Sequence, residues 1–149
     1  MRSSEFMDTA LGEARKARDA GEVPVGAIIV RDSAVISAAH NRTLTDHDPT
    51  AHAEILAIRA AARTLGSERL TGCDLYVTLE PCPMCAAAIS FARLRRLYFA
   101  AYDPKSGGVE QGPCIFDQHT CHHKPEIYGG IGEAEGSALL REFFAARRD

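Results

Sequence analysis

No apolar run in this 149-residue chain approaches the roughly 20 residues that a membrane-spanning helix needs. A place in the bilayer is therefore not expected. The N-terminus also lacks the apolar core of a secretory leader, so the cytoplasm is the expected compartment. There is no large excess of either charge. A formal net charge of −3 argues against broad, non-specific nucleic-acid binding but is compatible with a local basic surface. The five cysteines are an odd count, which excludes a simple disulfide scaffold. Repeats, linkers and low-complexity segments are missing as well. What is present is ordinary for a folded domain: 46% hydrophobic and 25% charged residues. The length fits one domain, 1–149, with one substantial core. Two origins stand open for residues 1–6, native or appended in cloning, with Met7 the alternative start. Disorder is expected there.

The most informative stretch is Glu80-Pro81-Cys82-Pro83-Met84-Cys85. It follows the apolar run Leu75–Leu79 and precedes Ala86–Ile89. Pro81 holds Glu80 extended, so a strand ends there, and Pro83 does the same for Cys82. Proline suits the first helical position, where its missing N–H is no loss. Cys82 is thus expected as an N-cap and Cys85 as the third helical residue, with both sulfurs facing one point at the positive end of a helix. That end favours thiolate over thiol. By itself the Cys-x-x-Cys has three readings: a redox pair, half a metal site, or chance spacing in a core. A second stretch, Thr50-Ala51-His52-Ala53-Glu54-Ile55-Leu56, bears on the choice. A lone histidine in an alanine-rich helix is more often a satisfied core group than a ligand. His-x-Glu at a helix start, upstream of Pro-Cys-x-x-Cys, is the pattern of zinc deaminases. It places His52, Cys82 and Cys85 on one zinc ion per chain, with Glu54 as the catalytic acid–base.

Along the chain, residues 4 to about 20 form an amphipathic helix closed by Gly21. Val23–Val30 and Val35–Ala39 read as a hairpin. A helix introduced by Pro49 and Thr50 runs to about Leu65 and stops at Gly66. Asp74–Leu79 is the third strand. The helix from Pro83 to about Ala92 is apolar on nearly every face and is expected to be buried centrally. Leu94–Ala101 is the fourth strand, Cys114–Gln118 a short helix, and Ile127–Tyr128 a short fifth strand. A last helix, Glu133–Arg148, turns Leu139, Leu140, Phe143 and Phe144 inward. These elements give a three-layer α/β domain with a mixed sheet.

Beyond the zinc motifs, the chain resembles the cytidine deaminase superfamily, and within it the bacterial tRNA-specific adenosine deaminases. The stretches that carry the resemblance are Glu22–Ala27, Asn41-Arg42, His47–Glu54, Leu75–Cys82, the Asp103/Lys105 loop and Leu139–Phe144. The resemblance implies an α/β/α cytidine deaminase-like fold with a five-stranded sheet in the order 2-1-3-4-5. It implies hydrolysis of a wobble adenosine to inosine in the anticodon stem-loop of a tRNA, by a homodimer. It places Asn41 against the flipped nucleotide, with Val23 and Pro24 beside it. Asp103, Lys105 and Ser106, just past a strand end, are expected to line the RNA groove. The bland reading of Asn41 is a turn residue, and of the Asp103 loop a polar turn.

Some features point elsewhere. Pro83 between the cysteines is shared with guanine deaminases, so a free base or nucleoside, guanine before cytosine or cytidine, is the alternative substrate. A zinc-stabilised RNA-binding module without turnover is a third reading, which the presence of Glu54 argues against. Cys114, His119, Cys121, His122 and His123 suggest a second metal site, although their spacing fits no familiar zinc pattern. Two basic clusters, Arg93/Arg95/Arg96 and Arg141/Arg147/Arg148, are either solvated helix ends or RNA contacts.

Overall fold

A computed structural model describes residues 2–147; Met1, Arg148 and Asp149 lie outside the described residues. The elements are α1 (Ser3–Asp19), β1 (Gly26–Arg31), β2 (Ala34–His40), α2 (Ala53–Leu65), β3 (Asp74–Leu79), α3 (Pro83–Phe91), β4 (Arg96–Ala101), a 3-10 turn (Ile115–Asp117), β5 (Glu126–Gly129) and α4 (Glu133–Ala145). The sheet order is β2-β1-β3-β4-β5. β1 runs antiparallel to both neighbours, while β3, β4 and β5 are parallel. This is the mixed sheet, in the order that the resemblance implies.

Alternate residues of the central strands serve two cores, as the two-residue period of a strand requires. Ala27, Ile29, Leu75, Val77, Leu97 and Phe99 pack on α2 and α3 through Ala57, Ala61, Ala86 and Ile89. Ile28, Val30, Tyr76 and Ala100 face the other way, onto Met7, Ala10 and Leu11 of α1 and Leu139 of α4. The result is three layers. α1 comes close to β1 because Gly26 has no side chain: a Cβ there would collide with the Ala10 carbonyl oxygen and with the Ala14 nitrogen. The hairpin turn has Asp32 and Ser33 both at positive φ, 51° and 63°, as a type I′ turn demands. On the α1/α4 side, Tyr76, Tyr98 and Tyr128 share one register across β3, β4 and β5. Their rings stack with centroids 4.3 and 5.0 Å apart.

Several element boundaries differ from the sequence expectation, each for a local reason. β1 begins at Gly26, not Val23, because Pro24 has no N–H for the ladder and the Val25 N–H bonds to the Val23 carbonyl oxygen at 2.8 Å. α2 begins at Ala53, after Thr50 has donated both its N–H and its hydroxyl to Asp48 Oδ1 at 2.8 and 2.7 Å. That local turn competes with the helix for residues 48–51. β4 begins at Arg96 because Arg93, at φ 60°, turns the chain first. α4 ends at Ala145. Its Leu139 and Phe143 face inward, but Phe144 is 48% exposed, since α4 covers the sheet with one stripe only. α3 is not buried on all sides either: Cys85, Ala86 and Ile89 are inside, whereas Met84 and Phe91 lie exposed on its outer face. Disorder of residues 1–6 is corrected for residues 3–6, which begin α1 and carry Phe6 into contact with Tyr76 at 5.3 Å.

Candidate active site

Two helix starts meet at one point. Pro83 opens α3, leaving Cys82 as its N-cap with extended backbone (φ −70°, ψ 171°). His52 is the N-cap of α2, also extended (φ −72°, ψ 153°). His52 Nδ1 lies 3.6 Å from Cys82 Sγ and 3.5 Å from Cys85 Sγ. A tetrahedral zinc, with bonds of about 2.3 Å to sulfur and about 2.05 Å to nitrogen, would separate such atoms by about 3.6 Å. The three side chains therefore fit that ion. Among the described residues they are the one group of histidine, cysteine or acid side chains gathered closely enough to hold a metal. Without a metal the three share their protons, and only Cys82 is held as thiolate. A hydrogen bond from Cys85 outweighs burial and, with His52, holds the Cys82 thiol down at about 4. Cys85, which donates that bond and is buried, is pushed far up. His52 is raised, chiefly by its bond to Cys82.

Glu54 stands in the first turn of α2 and is 4% exposed. Residues two apart on a regular helix diverge, but His52 precedes the helix, so both side chains reach one cavity. Burial pushes the Glu54 carboxyl up to about 7. The cavity, about 260 Å³, is also lined by Val23, Val25, Asn41, Thr43, Leu79, Glu80, Cys82, Asp103 and Ser106. Asn41 is 7% exposed, and its Oδ1 has no hydrogen-bond partner. A buried orphan acceptor in a cavity wall is unusual and marks a place for a ligand donor.

Of the residues expected at a substrate site, Val23, Asn41, Asp103 and Ser106 line this cavity. Lys105 does not; it borders a shallow outer groove with Asp103, Pro104, Leu140, Arg141, Phe144 and Ala145. Pro24 lies beside Val23 in the chain without lining either space. Thr43 and Glu80 were not anticipated as site residues.

A larger cavity of about 410 Å³ lies past α3, against Ser90, Phe91 and Cys121, away from the ligand set. The suggested second metal site does not form there. Cys121 Sγ bonds the Ser90 hydroxyl and the His123 carbonyl oxygen at 3.3 and 3.2 Å, while the His123 ring bonds the Leu94 carbonyl oxygen at 2.7 Å. Cys114 Sγ turns to the Gln111 carbonyl oxygen at 3.8 Å, and among the described residues these side chains do not gather closely enough to hold a metal. The first basic cluster lies at the opposite end of the sheet and is paired. Arg95 grips Asp74 at 2.8 and 2.9 Å, and Arg96 bonds Glu126 at 2.8 Å. Of the second cluster, Arg147 stacks 3.5 Å over the Phe143 ring, and Arg148 falls outside the described residues.

The chain belongs to the cytidine and deoxycytidylate deaminase family: the model of that family's zinc-binding region matches residues 1–101. Within it the chain is similar to the tRNA-specific adenosine deaminase of Agrobacterium fabrum (strain C58), 57% identical over 145 residues, covering 97% of this chain and 95% of that one. It is 48% identical over 145 residues to the tRNA-specific adenosine deaminase of Aquifex aeolicus, with the same coverage, 97% and 95%. Among solved structures it is similar to one from work on A-to-I editing by tRNA:A34 deaminases at the wobble position of transfer RNA. That match has a TM-score of 0.91 and 58% identity over 92% of this chain and 99% of that one. A guanine deaminase from Bacillus subtilis matches with a TM-score of 0.67 and 30% identity over 100% and 96%.

Proposed function

We propose that this protein hydrolyses the wobble adenosine of a tRNA anticodon to inosine and releases ammonia. The observation that carries the chemistry is the buried Glu54 carboxyl on the wall of the cavity that His52 and Cys82 also line. A metal site built only for stability closes its fourth position with protein. Here two of the three ligands, His52 and Cys82, line a cavity with an acid–base group beside them, against the reading of a non-catalytic RNA-binding module. The choice of tRNA over a free base is supported by the relatives named tRNA-specific adenosine deaminase at 57% and 48% identity.

His52, Cys82 and Cys85 would hold zinc, which supplies the Lewis acidity that makes water a nucleophile near neutral pH. The residues of the chain do the rest. Glu54, a buried carboxyl raised by desolvation, is placed to take up and release a proton. It takes one proton of the attacking water and delivers it to the ring nitrogen beside the reacting carbon, then takes the second from the hydroxyl now on that carbon and passes it to the amine, which leaves as ammonia. Asn41 Oδ1 accepts from the bound nucleotide. A base inside a stem cannot bring its reacting carbon to Glu54 on the wall of this cavity, so the adenosine must be unstacked or already in a loop. Asp103 and Ser106 at its mouth, with Lys105, Arg141 and Phe144 beyond, form the path for the flanking nucleotides. Pro24 shapes the turn that presents Val23. The proposed homodimer interface is the outer face of α3, a reading that the exposure of Met84 and Phe91 supports. No helix among the described residues is long and apolar enough to cross a membrane, and the proposed compartment is the cytoplasm, where tRNA is modified.

The test is ammonia release by the zinc-loaded protein on an anticodon stem-loop with wobble adenosine, beside free guanine, adenosine, cytosine and cytidine. Release from the stem-loop, with inosine found by sequencing, is the expected result. Release from guanine alone would overturn the RNA assignment in favour of the likeness to the guanine deaminase and the shared Pro83.

A further inference from the structure

Two buried carboxylates take no part in the chemistry above, yet each is committed to one loop at the cavity mouth. Glu80 is 1% exposed. Its Oε1 accepts the Asp103 N–H at 3.0 Å. Its Oε2 accepts the N–H groups of Val109, Glu110 and Gln111 at 3.2, 2.9 and 3.0 Å. Glu22 is also 1% exposed. It accepts the Leu44 N–H on Oε1 at 3.2 Å, and the N–H and hydroxyl of Thr45 on Oε2 at 2.7 and 2.6 Å. The loop gripped by Glu80 carries Asp103 and Ser106; the loop gripped by Glu22 carries Asn41 and Thr43. All four line the cavity.

The first loop is moulded to its anchor. A Cβ on Gly107 would come within 2.7 Å of the Glu80 carboxyl carbon, and one on Gly108 within 2.6 Å of the Pro83 nitrogen. Glycine at both positions is what lets the loop wrap around the carboxylate and sit on the start of α3.

We propose that Glu80 and Glu22 are a pair of positioning residues that set the two lips of the cavity and so govern how tightly the substrate is held. The proposal rests on the tRNA reading for its substrate. The residue type follows from the donors. All but one of the groups to be held are backbone N–H groups, and only an ionised carboxylate offers acceptors on both oxygens. A glutamine keeps one oxygen and turns an NH₂ donor toward the remaining N–H. In Glu80→Gln the carbonyl can keep residues 109–111, leaving a donor against the Asp103 N–H. The end of the loop that faces the substrate is then the end released.

The experiment has two arms. In the first, amide hydrogen exchange is followed in the zinc-loaded protein. Glu80→Gln should speed exchange at 103–107 and leave 41–48 unchanged, and Glu22→Gln should speed exchange at 41–48 and leave 103–107 unchanged. Unchanged exchange in the gripped loop would overturn the anchoring. In the second arm, Glu80→Gln should raise the stem-loop KM about tenfold, the effect of one lost charge-assisted hydrogen bond, with a smaller change in kcat. Added to Asp103→Ala, the same change should cost less than about twofold more, because its effect runs through Asp103. Fully multiplicative losses would mean general destabilisation and would overturn the positioning role. A protein that never acts on the stem-loop would remove the tRNA reading, while the exchange arm would still decide whether the two carboxylates hold the loops.

Discussion

His52 and Cys82 occupy the same position in two different helices. Each is an N-cap with extended backbone, and their Nδ1 and Sγ atoms are 3.6 Å apart. Two helix starts, each carrying about half a positive charge, therefore point at one spot. That field, with the bonds from Cys85 and His52, favours thiolate at Cys82.

Glu54→Gln should leave about one zinc per chain bound and lower turnover on the stem-loop by roughly a hundredfold or more, the usual worth of a general acid–base. Metal analysis and ammonia release, on the same preparation, measure both. Near-normal turnover would remove Glu54 from the chemistry.

Cys82→Ala should lose the metal and unfold at lower temperature, since binding and folding are linked. Treating the unaltered protein with a chelator should lower its Tm in the same direction, and the same treatment should not move the Tm of the variant. If the variant kept its zinc, the ligand assignment would be wrong.

Asn41→Ala tests the acceptor on the cavity wall. Its Oδ1 has no partner within the protein, so truncation removes no hydrogen bond that holds the fold. Tm should change little, while KM for the stem-loop rises about tenfold or more as the substrate loses its acceptor. A fall in Tm with unchanged KM would make Asn41 a turn residue only.

Acid should weaken the fold partly through Glu22. Burial pushes its carboxyl up, but the bonds from Thr45 and Leu44 together outweigh this and hold it below its ordinary value of 4.5. A group depressed in the folded state contributes stability that is fully present above its unfolded value and is lost as pH falls through the folded one. Denaturation followed downward from pH 6 should show a steeper loss below about 4.5 for the unaltered protein than for Glu22→Gln. Parallel curves would show that Glu22 contributes nothing to the acid limb.

Phe91→Glu probes the outer face of α3. At 79% exposure the side chain supports no core, so the variant should fold and bind zinc normally. Sedimentation should find a dimer for the unaltered protein and a monomer for the variant. A monomeric unaltered protein would refute the dimer.

Much of the architecture was legible because its causes are local. Two prolines fixed the geometry around Cys82, and the structure has it as N-cap with Pro83 opening the helix. Apolar runs with little interruption in β1, β3 and β4 announced strands with two covered faces. The start of α2 was missed because Asp48 and Thr50 bond to each other first, and residues that begin helices also make such turns. The anchoring roles of Glu22 and Glu80 were not legible at all. Their partners are mostly backbone N–H groups 22 to 31 residues away, and every residue but proline carries one. Periodicity likewise shows that α3 is apolar but not whether Phe91 meets its own core or a second chain. Lys105 follows the same rule: a loop residue beside a site can face either into it or across its rim.

The stacked tyrosines have a use at the bench. The chain has no tryptophan and four tyrosines. Three of them form the stack across β3, β4 and β5, and the fourth, Tyr102, meets Phe99 edge-on at 5.0 Å. Intrinsic fluorescence and near-ultraviolet dichroism of this protein thus come largely from β3, β4 and β5 and the residue after β4. A change in the signal of the stack reports parting of the strands, while Tyr102, one residue before the cavity-lining Asp103, is the tyrosine placed to sense the site.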